Sequence, residues 1–386
     1  MSALPAHFTL LQVIPRLDIG GAEQSALDVA SAVVRAGGRA IVASAGGRMQ
    51  DRLIAAGAEL AVLPVHSKNP LIMIANARAL ARLIRKEKVS LVHVRSRAPA
   101  FSALWAARRT RTPVLATYHG VYNANGPLKR WYNGVMTRGD RVIANSAYTR
   151  EHLLGQHRVD PAKVIAIPRG IDIDAFDPAV VGQDRIEALR ERWRLDPADH
   201  RIKLMLAGRL TRWKGQRLAI EAIARLKAEG IDYILLLLVG DTQGRLSYLA
   251  ELESAIRTLG VEDQVKFLGP CSDMPAAYLI GDIALAPSLE PEAFGRTGVE
   301  PQAMARPVIA ADHGATSETV VPGQTGWLAA PGDVEAWAKA IAEAVAAGPE
   351  RLSAMGAQAQ ARTRALYSVD AMTDATLAVY RSMLDD

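Results

Sequence analysis

A single cysteine, Cys271, occurs in the 386 residues of the chain, so intramolecular disulfides and metal sites built from several cysteines are excluded. Such low cysteine use is typical of a reducing compartment. No apolar run reaches the roughly 18 residues of a membrane span; the run Ile231–Val239 is short and contains Asp232. The apolar run Phe8–Ile14 follows a start without basic residues and predicts a strand rather than the core of a signal peptide. We therefore expect a cytoplasmic protein.

Aromatic residues make up only 5% of the chain and no nucleic-acid stacking or groove-reading motif occurs, so we expect no nucleic-acid partner. The formal charge of +6 conceals an asymmetry. Residues 1–180 contain 24 Lys and Arg against 12 Asp and Glu, whereas residues 181–386 contain 22 against 28. A basic half favours an anionic partner, such as a membrane surface or a phosphorylated glycolipid, although basic groups can also simply solvate helix faces. The cations are dense at Arg95, Arg97, Arg108, Arg109, Arg111, Lys129 and Arg130.

A chain of 386 residues exceeds the size of one ordinary hydrophobic core, so two domains are expected. Short apolar strands alternate with longer amphipathic segments, which is the pattern of parallel βαβ units. Turn residues between Ile173 and Gln183 interrupt the pattern, which then restarts. The sequence predicts an α/β protein of two Rossmann-like, doubly wound parallel-sheet domains that face a cleft. Their bounds are residues 1–178 and 179–367, and a terminal helix, residues 368–386, is predicted to return to the first domain.

The predicted strands are Thr9–Ile14, Arg39–Ala43, Leu60–Leu63, Leu91–Val94, Val114–Thr117, Arg141–Ala144 and Val164–Ile167, then Lys203–Ala207, Ile234–Val239, Val265–Leu268, Ile283–Ala286 and Val308–Ala310. The predicted helices include Ala22–Ala36, Leu71–Lys86, Gly215–Ala228, Arg245–Leu259 and Ser368–Leu384.

Residues directly after the predicted strands are candidate ligand-binding residues, because open α/β sheets bind ligands at the carboxyl ends of their strands. Gly20 and Gly21 come after the first strand and lead into a helix, where free amides favour anions; a plain tight turn explains two glycines about equally well. Their spacing is not that of the dinucleotide-binding G-x-G-x-x-G motif. His119 follows the strand Val114–Thr117 beside Gly120 and is a candidate catalytic residue, with a structural histidine as the alternative.

Two cations, Arg209 and Lys214, flank the start of the helix that follows the first strand of the second domain. A cation in the first helical turn costs about 0.3–1 kcal/mol unless an anion sits there. Arginine offers a phosphate a bidentate fork, and lysine offers a point charge. The segment Gly208–Gly215 therefore predicts a bound anion such as a pyrophosphate; the alternative is a solvated loop with two surface cations.

Two carboxylates occur in the segment Glu292–Glu300, which passes from a strand through a loop into a helix. Ionised carboxylates only accept hydrogen bonds, which suits them to holding pairs of sugar hydroxyls. The amides of Gly298 and Val299 are predicted to be free and to point at a ligand. A second interpretation is that Thr297 and Glu300 form a capping box, so that Glu300 only caps its own helix.

Together these residues resemble the retaining family-4 glycosyltransferases, which share the glycosyltransferase B fold. The resemblance covers nearly the whole chain, and it is strongest in the E-x7-E element of Glu292 and Glu300 combined with the segment Gly208–Gly215. Further matching segments are Gly20–Glu23, Thr117–Gly120, Ala144–Thr149 and Ile167–Asp172. Arg169 stands where the family often has Asn, and Pro301 stands where Ala is commoner.

The resemblance implies a role for each candidate residue. Arg209 and Lys214 would neutralise the pyrophosphate of a nucleotide-sugar donor. Glu300 would hold the ribose hydroxyls, and Glu292 would contact the donor sugar near its reacting face. His119 would hydrogen-bond the transferred sugar. The other donor-binding residues would be Gly21, Phe294, Gly295, Arg296 and Thr297.

The resemblance also implies the reaction. Such enzymes are thought to retain the anomeric configuration by same-face attack, in which the leaving phosphate oxygen takes the acceptor proton. No cofactor and no divalent metal are expected, because Arg209 and Lys214 would replace the metal. The donor substrate would be a GDP- or UDP-linked sugar.

A narrower resemblance concerns the acceptor. The segments His93–Pro99 and Tyr118–Tyr122 are similar to enzymes that build the inner core of bacterial lipopolysaccharide, some of which transfer mannose from GDP-mannose. We therefore expect transfer of a hexose to an anionic glycolipid or saccharide, with peripheral contact to the inner face of the cytoplasmic membrane. The alternatives are a nucleotide-sugar epimerase of the same architecture, which would show no acceptor dependence, and a non-catalytic nucleotide-sugar-binding protein.

Overall fold

In the computed structural model, which describes residues 4–18, 20–122 and 126–385, the chain divides into two compact units. The first unit comprises the chain up to Gly170 together with the segment from Val369, and the second comprises Ile171–Ser368. The change of unit differs from the predicted boundary after residue 178, because the Ile171 amide already donates to the Tyr367 carbonyl oxygen of the second unit (2.8 Å). Ile19 of the predicted glycine loop lies outside the described residues.

A parallel sheet forms the centre of the first unit, with seven strands among the described residues in the order β3-β2-β1-β4-β5-β6-β7. Its strands are β1 (Thr9–Val13), β2 (Arg39–Ser44), β3 (Glu59–Val62), β4 (Leu91–Val94), β5 (Val114–Tyr118), β6 (Arg141–Ala144) and β7 (Val164–Ala166). Its helices are α1 (Gly21–Arg35), α2 (Gln50–Ala55), α3 (Pro70–Lys86), α4 (Arg97–Thr110), α5 (Pro127–Asn133) and α6 (Ala147–Gln156). The strand order reverses between β1 and β4, which is the position where such sheets bind ligands.

The second unit repeats this plan with six strands in its described part, in the order β10-β9-β8-β11-β12-β13. The strands are β8 (Ile202–Ala207), β9 (Ile234–Val239), β10 (Val265–Gly269), β11 (Ile283–Ala286), β12 (Val308–Ala311) and β13 (Gly326–Ala329). The helices are α7 (Gln183–Arg192), α8 (Gln216–Ala228), α9 (Leu246–Leu259), α10 (Met274–Ile280), α11 (Arg296–Ala303), α12 (Thr316–Thr319), α13 (Val334–Ala346) and α14 (Gly348–Leu366). Here the order reverses between β8 and β11. The prediction of two doubly wound parallel-sheet domains is confirmed, whereas β13 was missing from it.

The C-terminal helix α15 (Val369–Asp385) belongs to the first unit, as predicted for a helix that returns to the first domain. Its buried residues Leu377 and Tyr380 join the core formed by α1 and the inner strands. The Tyr380 hydroxyl is hydrogen-bonded to His93 Nδ1 (2.6 Å) on β4. Since this bond joins residues 287 positions apart, α15 is part of the folded core of the first unit rather than an appendage.

The apolar run near residue 234 is a buried strand. All six residues of β9 are buried, which is typical of a parallel strand covered by helices on both faces. Among the helices of the described chain, none combines the length and the apolar composition needed to cross a membrane.

Candidate active site

The loop after β8 ends at a glycine that no other residue could replace without movement. It runs from Gly208 to Gly215, which has a φ of 75° and caps the start of α8. A Cβ on Gly215 would lie 2.0 Å from the carbonyl oxygen of Pro287, which follows β11. The loop therefore packs against the segment after β11, at the point where the strand order reverses.

Lys214, in the turn before α8, points its ammonium group at a carboxylate rather than at solvent. Its Nζ donates to Glu292 Oε1 (2.6 Å), and each of these side chains is only 11% exposed. Lys214 Nζ also lies 4.5 Å from the centre of the Trp213 ring. Arg209, by contrast, is exposed, and its guanidinium forms no hydrogen bond or ion pair with any residue that the structure describes. The solvated-loop alternative thus fails for Lys214, and Arg209 is available to a ligand.

Several elements fix Glu292. Ser288 donates its hydroxyl hydrogen to the same Oε1 that accepts from Lys214. The Glu292 carbonyl oxygen accepts from the Ala315 amide (2.9 Å), and a Cβ on Gly314 would lie 2.8 Å from the Glu292 nitrogen. The carboxylate is consequently held at the carboxyl edge of the sheet by segments that follow β8, β11 and β12.

Glu300 lies on α11 and is 7% exposed. It pairs with Arg296 (2.6 Å), and its Oε2 accepts from the Tyr278 hydroxyl (3.3 Å). Burial raises the pKa of Glu300, while Arg296, Tyr278 and Lys214 oppose the shift. The effect of Lys214 indicates that this ammonium group lies within electrostatic range of both glutamates.

The capping-box interpretation of Glu300 is wrong. Helix α11 begins at Arg296 with Gly295 as its N-cap, and no side chain caps it. The prediction that the Gly298 amide is free is also wrong, because this amide donates to the Gly295 carbonyl oxygen (2.9 Å). Thr297 is half-buried and lies at the start of the helix.

The side chain of Phe294 is part of the hydrophobic core. It is 3% exposed, and its ring centre lies 5.9 Å from that of Tyr367. Gly295 has a φ of 78°, and a Cβ there would lie 2.7 Å from Thr316 Cγ2. This segment can therefore offer a ligand its backbone groups, whereas the Phe294 ring supports the loop from behind.

In the first unit, His119 lies at the carboxyl end of β5 beside Arg169. His119 Nδ1 is 3.2 Å from Arg169 Nη2, and the His119 carbonyl oxygen accepts from Asn145 Nδ2 (3.2 Å). Within the described part of the chain no group hydrogen-bonds the buried His119 Nε2. Burial lowers the pKa of His119 well below its usual value, and Arg169 and Arg95 lower it further. The imidazole is therefore neutral and can donate or accept one hydrogen bond.

Gly21 has a specific neighbour in the first unit. A Cβ on this residue would lie 2.4 Å from Arg169 Nη1, so the glycine admits the guanidinium of Arg169. Ser25, Arg95, Thr117, His119, Asn145 and Arg169 line a cavity of about 20 Å³ at this edge of the sheet. That volume holds about one water molecule.

Arg95, one of the densely placed cations of the basic first half, does not lie on the surface. It is 4% exposed, and its Nε donates to Gln12 Oε1 (2.7 Å). Burial lowers the pKa of Arg95 to about 10. The exposed Arg108, Arg109 and Arg111 lie at the end of α4, just before β5, so they occupy the amino edge of the sheet, opposite the edge where His119 lies.

Two family models match the chain. Residues 19–175 match "Glycosyltransferase Family 4", and residues 188–362 match "Glycosyl transferases group 1". The chain is 31% identical to a glycosyltransferase of known crystal structure from Rickettsia africae; the match covers 99% of this chain and 100% of that one, with a TM-score of 0.89. The chain belongs to the glycosyltransferases.

Two other proteins bear on this glycosyltransferase. Anabaena HepE, whose crystal structure is in complex with UDP, is 24% identical to this chain. The match covers 97% of this chain and 100% of HepE with a TM-score of 0.81, and it shows the shared fold. A D-inositol 3-phosphate glycosyltransferase from Actinosynnema mirum is 33% identical over 257 residues, which is 65% of this chain and 59% of that protein. The chain thus spans less than two thirds of the length of this curated relative.

Two residues that hold the candidate site were not predicted from the sequence. Ser288 lies two residues after the end of β11, so the rule that ligands bind at strand ends could have found it. Tyr278 lies inside α10, and nothing in its sequence surroundings distinguishes it from a core tyrosine.

Proposed function

We propose that this glycosyltransferase moves a hexose from a nucleoside-diphosphate sugar to an acceptor hydroxyl with retention of the anomeric configuration. The observation that carries the proposal is the grouping of Lys214, Glu292 and Glu300 at the strand-order reversal of the second sheet. Two carboxylates and a nearly buried ammonium group within one site suit a ligand with both hydroxyls and phosphates.

In the proposed donor complex, Lys214 and Arg209 neutralise the pyrophosphate in place of a metal ion. Because Lys214 Nζ is 2.6 Å from Glu292, an arriving phosphate competes with that carboxylate for the ammonium group. Glu300 accepts from the ribose hydroxyls, and Glu292 accepts from a hydroxyl of the sugar. Gly295, Arg296 and Thr297 complete the donor pocket, together with the backbone of Phe294. For Gly21 of the first unit we propose a contact with the donor.

The proposed reaction needs no cofactor and no divalent metal. The acceptor oxygen forms a bond to the anomeric carbon on the face from which the phosphate leaves. The bond from that carbon to the phosphate oxygen breaks, and the leaving oxygen takes the acceptor proton. We assign to His119 a hydrogen bond to the transferred sugar, a role for which its neutral imidazole is suited.

For the donor base we propose uracil or guanine. The fold shared with HepE, which was crystallised with UDP, supports the first, and the resemblance to mannosyltransferases supports the second. For the acceptor we propose an anionic glycolipid or saccharide of the cell envelope, with lipopolysaccharide core as the leading case, at the inner face of the cytoplasmic membrane. The basic first half of the sequence supports an anionic acceptor, as does the name of the Actinosynnema relative, whose substrate carries a phosphate.

Incubation of the protein with a panel of UDP- and GDP-sugars, with and without lipopolysaccharide-core acceptors, tests the proposal. We expect nucleotide release that depends on the acceptor, persists in EDTA and falls at least tenfold in Glu292→Gln. Sugar isomerisation without acceptor would indicate an epimerase. Binding without turnover of any donor and acceptor pair would indicate a non-catalytic protein.

A further inference from the structure

A basic pocket lies in the first unit, away from the residues assigned to catalysis. It is about 670 Å³ in volume and lies between α5 with its following turn and the end of α6. None of the described residues that line it is an aspartate or a glutamate. Its principal side chains are Arg130, Trp131, Arg138, Leu154, His157 and Arg158.

Some arginines of the first unit form ion pairs, whereas the three arginines of this pocket form none with any residue that the structure describes. Arg39, for example, pairs with both Glu59 and Glu87. Arg130, Arg138 and Arg158 are exposed, and no carboxylate among the described residues pairs with them. The carbonyl end of α6 contributes roughly half a negative charge, so a clear positive excess remains.

His157 supplies a ring nitrogen that has no hydrogen-bond partner among the described residues. Its buried Nε2 has no hydrogen-bond partner in the part of the chain that the structure describes, and buried polar atoms are rarely left so. A Cβ on Gly134 would lie 3.2 Å from His157 Nδ1, so the glycine gives the ring its place. A ligand oxygen that accepts from Nε2 would satisfy this atom.

The rim of the pocket is apolar and aromatic. On α5, Leu128 is 81% exposed and Trp131 is 58% exposed. Arg138 lies 5.1 Å from the centre of the Trp131 ring, and the ring of Phe101, on α4, lies 5.4 Å from the same ring. Exposed tryptophan and leucine beside unpaired arginines are typical of a segment that enters the headgroup region of an anionic membrane.

We propose that this pocket binds the phosphate headgroup of an anionic membrane lipid while Leu128 and Trp131 enter the adjoining acyl region. The inference rests on the proposed membrane-associated function but names a surface that this function does not require. The arginine fork recognises the phosphate oxygens, and His157 Nε2 donates to one of them. Charge complementarity selects a lipid over a neutral partner, and the exposed apolar rim selects a lipid over free phosphate.

Sedimentation with phosphatidylglycerol-containing vesicles and with pure phosphatidylcholine vesicles tests the proposal. We expect binding only to the first, with affinity that falls about fivefold for each arginine removed and falls steeply between 0.1 and about 1 M salt. The variant Arg130→Ala/Arg138→Ala/Arg158→Ala should thus bind roughly a hundredfold more weakly. Leu128→Ala/Trp131→Ala should also weaken vesicle binding, while neither variant changes nucleotide affinity.

A charge-matched control separates a local pocket from diffuse attraction. Arg78→Ala/Arg82→Ala/Arg85→Ala removes three exposed arginines of α3 and should change binding by less than threefold. An equal loss in both arginine variants, or no loss in the pocket variant, would overturn the proposal. Inhibition of vesicle binding by millimolar inorganic phosphate, with no effect of the Leu128/Trp131 variant, would also overturn the proposal. Binding of an oligonucleotide in place of vesicles would do the same. Absence of sugar transfer by the parent protein would count against the proposed function, not against this result.

Discussion

Lys214→Ala should separate the structural role of the Lys214–Glu292 pair from its role in binding. Removal of one partner of a fully buried ion pair costs about 3–5 kcal/mol, because the other charge stays buried. Glu292 keeps a small exposed fraction and its hydrogen bond from Ser288, so we expect a loss of about 2–3 kcal/mol in the free energy of unfolding. Lys214→Ala/Glu292→Ala leaves no unpaired charge and should lose only about 1 kcal/mol.

Nucleotide affinity should follow a different pattern in the same variants. Loss of a charge-assisted contact to the pyrophosphate weakens binding by about 1.5–3 kcal/mol, so Lys214→Ala should bind nucleoside diphosphate roughly 10- to 150-fold more weakly. The double variant should recover stability but not this affinity. Glu292→Gln should bind nucleotide at least as tightly as the parent, since it releases Lys214 from its partner.

Urea unfolding and titration calorimetry with UDP and GDP measure the two quantities on the same four proteins. The reasoning is refuted if Lys214→Ala is as stable as the parent, or if the double variant is no more stable than Lys214→Ala. It is also refuted if restored stability restores affinity, because the lysine would then act only as a structural residue.

Three further predictions follow from the site and its support. Glu300→Gln should weaken UDP or GDP binding about tenfold but leave a 2′,3′-dideoxy analogue unaffected; an equal loss for both ligands would exclude the ribose contact. Gly215→Ala should lower the free energy of unfolding by about 2–4 kcal/mol. Gly230 is the control, because it has a similar φ but no atom within 4 Å of an added Cβ, so Gly230→Ala should cost about 1 kcal/mol. Equal losses would contradict the close approach of Gly215 to the segment after β11. Burial lowers the pKa of His93 well below 6.5. As the pH falls below 6.5, His93 therefore binds a proton in the unfolded chain but not in the folded chain. The contribution of neutral, buried His93 to the free energy of unfolding is therefore complete above pH 6.5. Below pH 6.5 this contribution is lost at up to ~1.4 kcal/mol per pH unit, and higher stability at pH 5 than at pH 7.5 in urea would contradict this.

Much of the fold was predictable because its signals are local. Strands such as β9 are continuous apolar runs between turns, and helices such as α3 have an apolar face and start signals, here Pro70 after Asn69. The strand β13 escaped prediction because it has four residues and begins with Gly326. A Cβ there would lie 1.9 Å from the Val308 carbonyl oxygen, so the glycine is required by a neighbouring strand that local pattern does not reveal.

In the candidate site, too, some features were predictable from the sequence and others were not. Positions after strands predicted Lys214, Glu292 and Glu300, because topology fixes which edge of the sheet they share. Their pairing could not be predicted, since Lys214 and Glu292 are 78 residues apart in the chain. Charge counting included Arg95 among the cations expected to attract an anionic partner, but counts carry no information on burial.

The central claim, a diphosphate site in the second unit, is tested most directly by calorimetric titration of Arg209→Ala with UDP and GDP in the presence of EDTA. Arg212→Ala is the matched control, because Arg212 is an exposed cation of the same loop that pairs with Glu251. The account predicts tight binding to the parent and to Arg212→Ala, and binding weakened about 10- to 150-fold in Arg209→Ala. Equal affinity of all three proteins, or binding that EDTA abolishes, would contradict it.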